Sequence, residues 1–185
     1  MKAGQCQSLP TCLILLLFFT AAGAHAEDLH DSDYMDITVF SSLSPESFYS
    51  DWKITSVSSI PERTQYRLVP DSSRGTVIEA TAQASFAAMT RELEIDPLIY
   101  PVVVWNWKVS AVIDSANLKI KEKDDAAARL LISFGINYKK GGRPEGTLCY
   151  VWSAQEPEGS FIINPYNKDV MAIVVASGFA DVGAW

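Results

Sequence analysis

The chain has 185 residues, of which 48% are hydrophobic, and its 22 acidic residues outnumber 15 Lys and Arg to give a net charge of −7. This length is sufficient for a domain with a hydrophobic core. Nucleic acid binding requires a basic footprint and anionic lipid attracts basic surfaces, so neither partner is expected for this acidic chain.

The first 26 residues have the three parts of a secretory signal peptide. Lys2 provides a positive start, residues 12–19 form an apolar run, and Ala24-His25-Ala26 fits an A-x-A cleavage pattern. The apolar run is shorter than the roughly 20 residues that a membrane helix needs, and no other stretch approaches that length. We therefore predict cleavage after Ala26 and a periplasmic or secreted protein without a transmembrane helix. Cleavage removes one Lys and no acid, which makes the mature net charge −8.

Cleavage also leaves a single cysteine, Cys149, and a single histidine, His30. One cysteine cannot form an internal disulfide, and the apolar neighbours of Cys149 predict a buried, inert thiol. His30 lies in the acidic segment 27–36, which we predict to be a flexible N-terminus. Nucleophilic triads and zinc sites need positioned His or Cys side chains, so both kinds of site are disfavoured.

Residues 37–185 are predicted to form a single domain of strands and turns. Short strands are expected at residues 37–40 and 52–55. A hairpin follows, in which turn residues 71–75 join a strand that stops at Pro70 to a second arm; the two arms are residues 64–69 and 76–81. Residues 82–96 fit either a helical stripe or a strand, and the alternation from Met89 onward favours a strand.

The second half of the domain is predicted to contain longer strands, at residues 102–112, 129–138, 147–153, 161–163 and 170–177. Alternation within residues 102–112 places Trp105 and Trp107 on one face. Residues 170–177 are almost entirely apolar, which is typical of a strand in the middle of a sheet. Many strands joined by short turns, without a long amphipathic helix, predict a mainly β fold, specifically an antiparallel β-sandwich.

The chain ends eight residues after its last predicted strand and has no polar tail. An apolar central strand needs a neighbour on each side, and so short a remainder leaves little room for another full strand. We therefore expect a further C-terminal segment, without which the domain is incomplete and exposes a β edge.

Several short motifs along the mature chain resemble the DUF3047 family, a bacterial family of exported proteins built on a domain of unknown function. The most specific are Trp105-Asn106-Trp107-Lys108-Val109 and Asp124-Asp125 followed by Arg129; Asn164-Pro165-Tyr166 is another. By fold analogy the resemblance implies a jelly-roll sandwich of the galactose-binding type. Family members usually continue further at the C-terminus, and the resemblance implies no particular activity.

Two groups of residues are candidates for ligand binding. Trp105 and Trp107 predict a platform on which a sugar ring stacks, the alternative being that both rings fill the core. Asp124 and Asp125 offer oxygen ligands for calcium or hydrogen bonds to a polyol. The alternative there is that one Asp caps or turns the chain and the other pairs with a nearby Lys or with Arg129, which is itself a candidate.

Tyr166, in the Asn-Pro-Tyr motif, completes the candidate ligand-binding residues. No cofactor is expected unless Asp124 and Asp125 bind calcium. These features favour a non-catalytic binding module for carbohydrate or another envelope polymer. A second hypothesis is a carboxylate-based glycan hydrolase or lyase on a jelly-roll, which requires two acids to converge in one cleft. A third is a structural envelope protein with protein partners, for which a broad exposed apolar surface is typical.

Overall fold

The computed structural model describes residues 34–44, 48, 50–56, 62–135 and 144–185. The predicted signal peptide and most of the acidic N-terminus lie outside these residues. Within the described ranges, no helix combines the length and the apolar character that crossing a membrane requires. Contacts between Cα atoms divide the chain into two compact units, whose described parts are residues 34–107 and 108–185. The single domain over residues 37–185 stays a prediction.

The predicted mainly β class is confirmed. The described residues form eight strands: β1 (Lys53–Thr55), β2 (Gln65–Asp71), β3 (Gly75–Thr81), β4 (Ala88–Thr90), β5 (Ala128–Phe134), β6 (Gly146–Ser153), β7 (Phe161–Ile163) and β8 (Val170–Ser177). The pairings are antiparallel except for β6 with β8, which is parallel, so the sheets are antiparallel and mixed. The jelly-roll arrangement stays a prediction.

The unit of residues 34–107 contains the antiparallel pairs β1–β4 and β2–β3. The predicted hairpin is present, and its turn is closed by Asp71 Oδ1, which accepts hydrogen bonds from the backbone N–H groups of Ser73 and Arg74 at 2.9 and 3.1 Å. Gly75 follows with φ +74°, a left-handed conformation that favours glycine. The predicted end of the first arm before Pro70 is wrong, because β2 continues to Asp71. Proline is tolerated there because β2 pairs on one side only.

Three predicted strands of this unit differ from the structure. Residues 37–40 do not form a strand, and a 3₁₀ turn spans Phe40–Ser42 instead. The ring centroids of Phe40 and Trp52 are 6.0 Å apart, and Phe40 is fully buried. Packing of this ring, rather than pairing with another strand, fixes the backbone at residue 40. The strand predicted from Met89 ends at Thr90, which pairs with Lys53, the first residue of the short antiparallel partner β1. Residues 102–112 contain no strand.

The unit of residues 108–185 contains a four-stranded sheet in the order β5-β6-β8-β7. The interior position predicted for β8 is confirmed, since β6 pairs with one edge of it and β7 with the other. The reasoning that β8 must find a neighbour in a further C-terminal segment is therefore wrong. Its second neighbour is the three-residue strand β7, which precedes it in the chain.

One face of this sheet carries the hydrophobic core of its unit. Residues paired across a sheet project to the same side, so Cys149 on β6 and Ala172 on β8 share a face with Ile162 on β7. The cluster also contains Val151 and Val174 and is covered by Leu118 and Ala126 from the preceding loop. The predicted burial of Cys149 is confirmed.

Glu156 fixes that loop to the sheet. Its carboxylate is buried and accepts two hydrogen bonds, from the Leu118 backbone N–H at 3.2 Å and from Ser153 Oγ at 2.6 Å. Both oxygens are therefore satisfied, as burial of a charged group requires. The contact sets the position of the residues after Leu118, which lead to Asp124.

Candidate functional site

The candidate site is centred on Asp124, which receives hydrogen bonds from two directions. Arg129 Nη2 donates to Asp124 Oδ1 at 2.7 Å, and Asn164 Nδ2 donates to Asp124 Oδ2 at 2.7 Å. The Asp124 side chain is 7% exposed and that of Arg129 is 23% exposed. The predicted alternative of a local ion pair is thus present, and it is largely shielded from water.

The sheet order explains why these residues meet. Arg129 lies on the edge strand β5, opposite Val151, and so projects to the core face. Asn164 follows β7 at the other edge, where its backbone N–H donates to the Val170 carbonyl at 3.0 Å. Asp124 ends the short 3₁₀ turn Lys121–Lys123 and lies between them. One carboxylate therefore ties together the two edges of the sheet and the loop that covers it.

Cys149 lies on the same face of the sheet as Arg129, and the two side chains interact. Burial raises the pKa of the Cys149 thiol, and the charge and hydrogen bond of Arg129 only partly oppose that shift. For Arg129, burial alone would lower the pKa, but Cys149, Asp124 and Asp125 together raise it above its ordinary value. The guanidinium is therefore charged and the thiol is protonated at neutral pH, which makes Cys149 a poor nucleophile.

Asp125 has a different environment from Asp124. The residue is exposed, and its Oδ1 accepts the backbone N–H of Ala126 at 2.8 Å. Surrounding protein atoms still remove water from the carboxylate, and this desolvation raises its pKa, although the Ala126 hydrogen bond and the charge of Arg129 oppose the rise. The two adjacent aspartates thus differ: Asp124 anchors the loop, and Asp125 is exposed as a residue but has a partly desolvated carboxylate.

Tyr166 is held beside this cluster by the turn that joins β7 to β8. Asn164 Oδ1 accepts the backbone N–H groups of Tyr166 and Asn167, each at 3.0 Å, so one Asn side chain both shapes the turn and binds Asp124. The Tyr166 side chain is accessible to solvent, and the residue is 63% exposed. Lys121 Nζ lies 4.9 Å from the centre of its ring, within the range of a cation–π contact.

Trp105 and Trp107 belong to the other unit and have a geometry that differs from the predicted one. Their ring centroids are 5.6 Å apart and the ring planes are nearly perpendicular, at 85°. Each residue is half-buried, and the expected strand is absent. Perpendicular rings do not offer one flat stacking surface, so a ligand would meet the face of one ring and the edge of the other. Their part in ligand binding stays a prediction.

Of the predicted residues, the structure therefore brings together four: Asp124, Asp125, Arg129 and Tyr166. Sequence reasoning missed two further members, Asn164 and Lys121, as parts of a site. The Asn-Pro dipeptide signalled a turn, but its contact with Asp124 spans 40 residues and depends on strand order. No pattern of neighbouring residues in the sequence indicates that Lys121 lies close to Tyr166.

The arrangement is suited to binding a polar ligand at an aromatic surface. Tyr166 offers a ring, Lys121 a cation and Asp125 an exposed carboxylate. Within the residues that the structure describes, no group of three His, Cys, Asp or Glu side chains is placed to hold a metal ion. Calcium at Asp124 would compete with the positive charge of Arg129 and with Asn164, each of which donates to one carboxylate oxygen. Calcium at Asp124 and Asp125 stays a prediction.

Comparison with known proteins gives one result. The family model described as "Protein of unknown function (DUF3047)" matches residues 50–185, which include every candidate site residue and extend over parts of both compact units. No curated protein and no solved structure matches the chain. Because the matched region covers well over half of the chain, the predicted family is confirmed: the protein belongs to the DUF3047 family.

Proposed function

We propose that this protein is an exported, non-catalytic binding module for carbohydrate or another envelope polymer, and that its ligand contacts the surface formed by Tyr166, Lys121 and Asp125. The observation that carries the proposal is the exposed side chain of Tyr166, whose backbone N–H is bound by Asn164 and whose ring lies beside Lys121. The periplasm or the cell exterior is the proposed location, in keeping with the signal-like first 26 residues.

The chemistry of sugar recognition matches this set of side chains. The apolar face of a pyranose ring packs on an aromatic ring, while a few fixed polar groups orient its hydroxyls. Tyr166 supplies the first element, and the Lys121 ammonium and the Asp125 carboxylate supply a donor and an acceptor. Charged hydrogen-bonding partners strengthen such contacts.

The turn that carries Tyr166 also favours binding. Two backbone N–H groups of the turn are fixed by Asn164, and Asn164 is fixed in turn by Asp124. A side chain whose backbone is already ordered loses less conformational entropy when it binds a ligand. The buried Asp124–Arg129 pair therefore supports the surface without contacting the ligand.

A glycan-array screen of the mature protein tests the proposal. We expect binding to a defined set of glycans and a loss of at least tenfold in affinity for Tyr166→Ala. The matched control is Phe161→Ala, because Phe161 is a similarly exposed aromatic residue, at 70%, on the edge strand β7 of the same sheet. Absence of any glycan binding, or equal loss in both variants, would contradict the proposal. Release of shorter sugars during the incubation would favour the hydrolase or lyase hypothesis instead.

A further inference from the structure

We infer that the ligand of this surface is a carboxylated glycan, a polymer or oligomer that contains uronic acid units; this inference rests on the proposed function. The motivation is a concentration of lysines beside Tyr166 in a chain whose net charge is −7. Lys119, Lys121 and Lys123 alternate along the loop that precedes Asp124, and Lys168 follows Tyr166 by two residues. All four are exposed.

The loop that carries three of these lysines has a fixed backbone. The Asn117 N–H donates to the Lys123 carbonyl at 2.8 Å, and the Lys123 N–H donates to the Ile120 carbonyl at 2.9 Å. The Asn117 side chain also accepts the Lys119 N–H at 3.0 Å. These bonds close the loop on itself and hold the three lysines in one short segment. Their charges therefore act on one area of the surface.

The acids next to the lysines neutralise them only in part. In the described parts of the chain, the ion pairs involve Lys53, Arg67, Arg91 and Arg129, and none involves a lysine of this loop. Asp124 is engaged by Arg129 and Asn164 and does not pair with these lysines. Glu122, Asp125 and Asp169 remain as exposed acids, and the four lysines outnumber these three acids by one.

A uronic acid has the two features that this surface would recognise. Its ring presents an apolar face for Tyr166, and its carboxylate is a partner for an ammonium group. The 4.9 Å between Lys121 Nζ and the Tyr166 ring centre brings the aromatic and cationic groups within the span of one sugar unit. A repeating chain would place further carboxylates near the other lysines, and the attraction would be sensitive to salt.

Isothermal titration with oligogalacturonate and with its methyl ester tests the inference, because the two ligands share a backbone and differ in charge. We expect the acid to bind at least tenfold more tightly than the ester at low salt, and this difference to shrink in 0.5 M salt. Lys121→Gln should reduce the preference. Lys53→Gln, which removes the same charge from the other unit, should leave it unchanged. Melting temperatures would establish that both variants are folded.

Each result of this titration has a distinct meaning. Equal binding of acid and ester would overturn the carboxylate inference and leave the binding-module proposal in place. Preference for the acid that is reduced equally by Lys121→Gln and Lys53→Gln would also overturn it, since the effect would then come from net charge. Absence of binding to either ligand, together with binding of neutral glycans on the array, would exclude the inference alone. Failure on the array as well would exclude both.

Discussion

Asp124 and Asn164 lie 40 residues apart in the chain, yet Asn164 Nδ2 donates a hydrogen bond to Asp124 Oδ2 at 2.7 Å. This bond joins the lysine-containing loop to the turn that presents Tyr166. The second oxygen of Asp124 holds Arg129 on the opposite edge of the sheet. The proposed binding surface therefore depends on a contact that the ligand itself does not touch.

Replacing Asp124 by alanine should destabilise the protein strongly. The change would leave Arg129 partly buried without its carboxylate and would remove the partner of Asn164, and breaking such a pair costs about 3 kcal/mol. Urea denaturation measures the change in the free energy of unfolding. Glu92→Ala is the control, because Glu92 pairs with Lys53 at 3.5 Å but both side chains are more than three-quarters exposed. That variant should change the free energy by less than about 1 kcal/mol. Similar values for the two variants would show that Asp124 is not an anchor.

Cys149 should be unreactive in the folded protein. Burial raises the pKa of its thiol, so little thiolate forms at neutral pH. The residue is also only 1% exposed, so a reagent in solution cannot easily reach the sulfur. A chromogenic disulfide reagent should label the native protein far more slowly than the urea-unfolded protein. Cys149→Ala should lower stability by about 1 kcal/mol, because it deletes one buried atom. Immediate labelling of the native protein would contradict the packing of β6.

Asp125 should give stability a dependence on pH. Because desolvation raises its pKa in the folded state, the folded protein holds this proton more tightly than the unfolded chain does. The stabilisation from the protonated form is fully present below the ordinary aspartate pKa of about 4 and is lost as pH rises through the elevated value. Asp125→Asn should therefore melt at a higher temperature than the wild type at pH 7, and the difference should shrink towards pH 3. If Asp125→Asn were instead less stable than the wild type at pH 7, the charged form of Asp125 would stabilise the folded protein, and the prediction would be wrong.

Adding calcium distinguishes between two interpretations of Asp124 and Asp125, namely a metal site and a local ion pair with Arg129. The hydrogen bonds to Asp124 and the positive charge of Arg129 beside it predict that millimolar calcium leaves the melting temperature unchanged. A calcium site would instead raise that temperature, because an ion that binds only the folded state stabilises it. Differential scanning fluorimetry with calcium or magnesium measures this. A rise that is specific to calcium and absent in Asp125→Asn would support the carboxylates as metal ligands.

The parts of the fold that the sequence predicts well are those whose signal is local. The boundaries of β7 and β8 match the predicted residues 161–163 and 170–177, and the apolar character of β8 correctly indicates an interior strand. Residues 71–75 form the predicted turn because Asp71 and Gly75 supply its hydrogen bonds and its positive φ. Each of these features depends on residues close together in the chain.

The errors concern features that depend on partners elsewhere. Residues 102–112 are rich in β-branched and aromatic residues, but such residues favour a strand only where a neighbouring strand provides a surface to pair with. Strand β8 was expected to need a neighbour from a further C-terminal segment, but it pairs with β6 in parallel at one edge and with the short β7 at the other. In the candidate site, Asp124 and Arg129 were recognisable from their spacing of five residues. Asn164 and Lys121 were not, because their contacts depend on the order of strands in the sheet.

The location of glycan binding is the central claim, and nuclear magnetic resonance titration tests it most directly. Side-chain signals of Tyr166 and Lys121 and the indole N–H signals of Trp105 and Trp107 would be followed while a bound oligosaccharide from the array, or oligogalacturonate, is added. The account predicts saturable shifts at Tyr166 and Lys121, with both indole signals unchanged. Shifts at Trp105 and Trp107 with none at Tyr166 would contradict it and would place the ligand on the tryptophan pair.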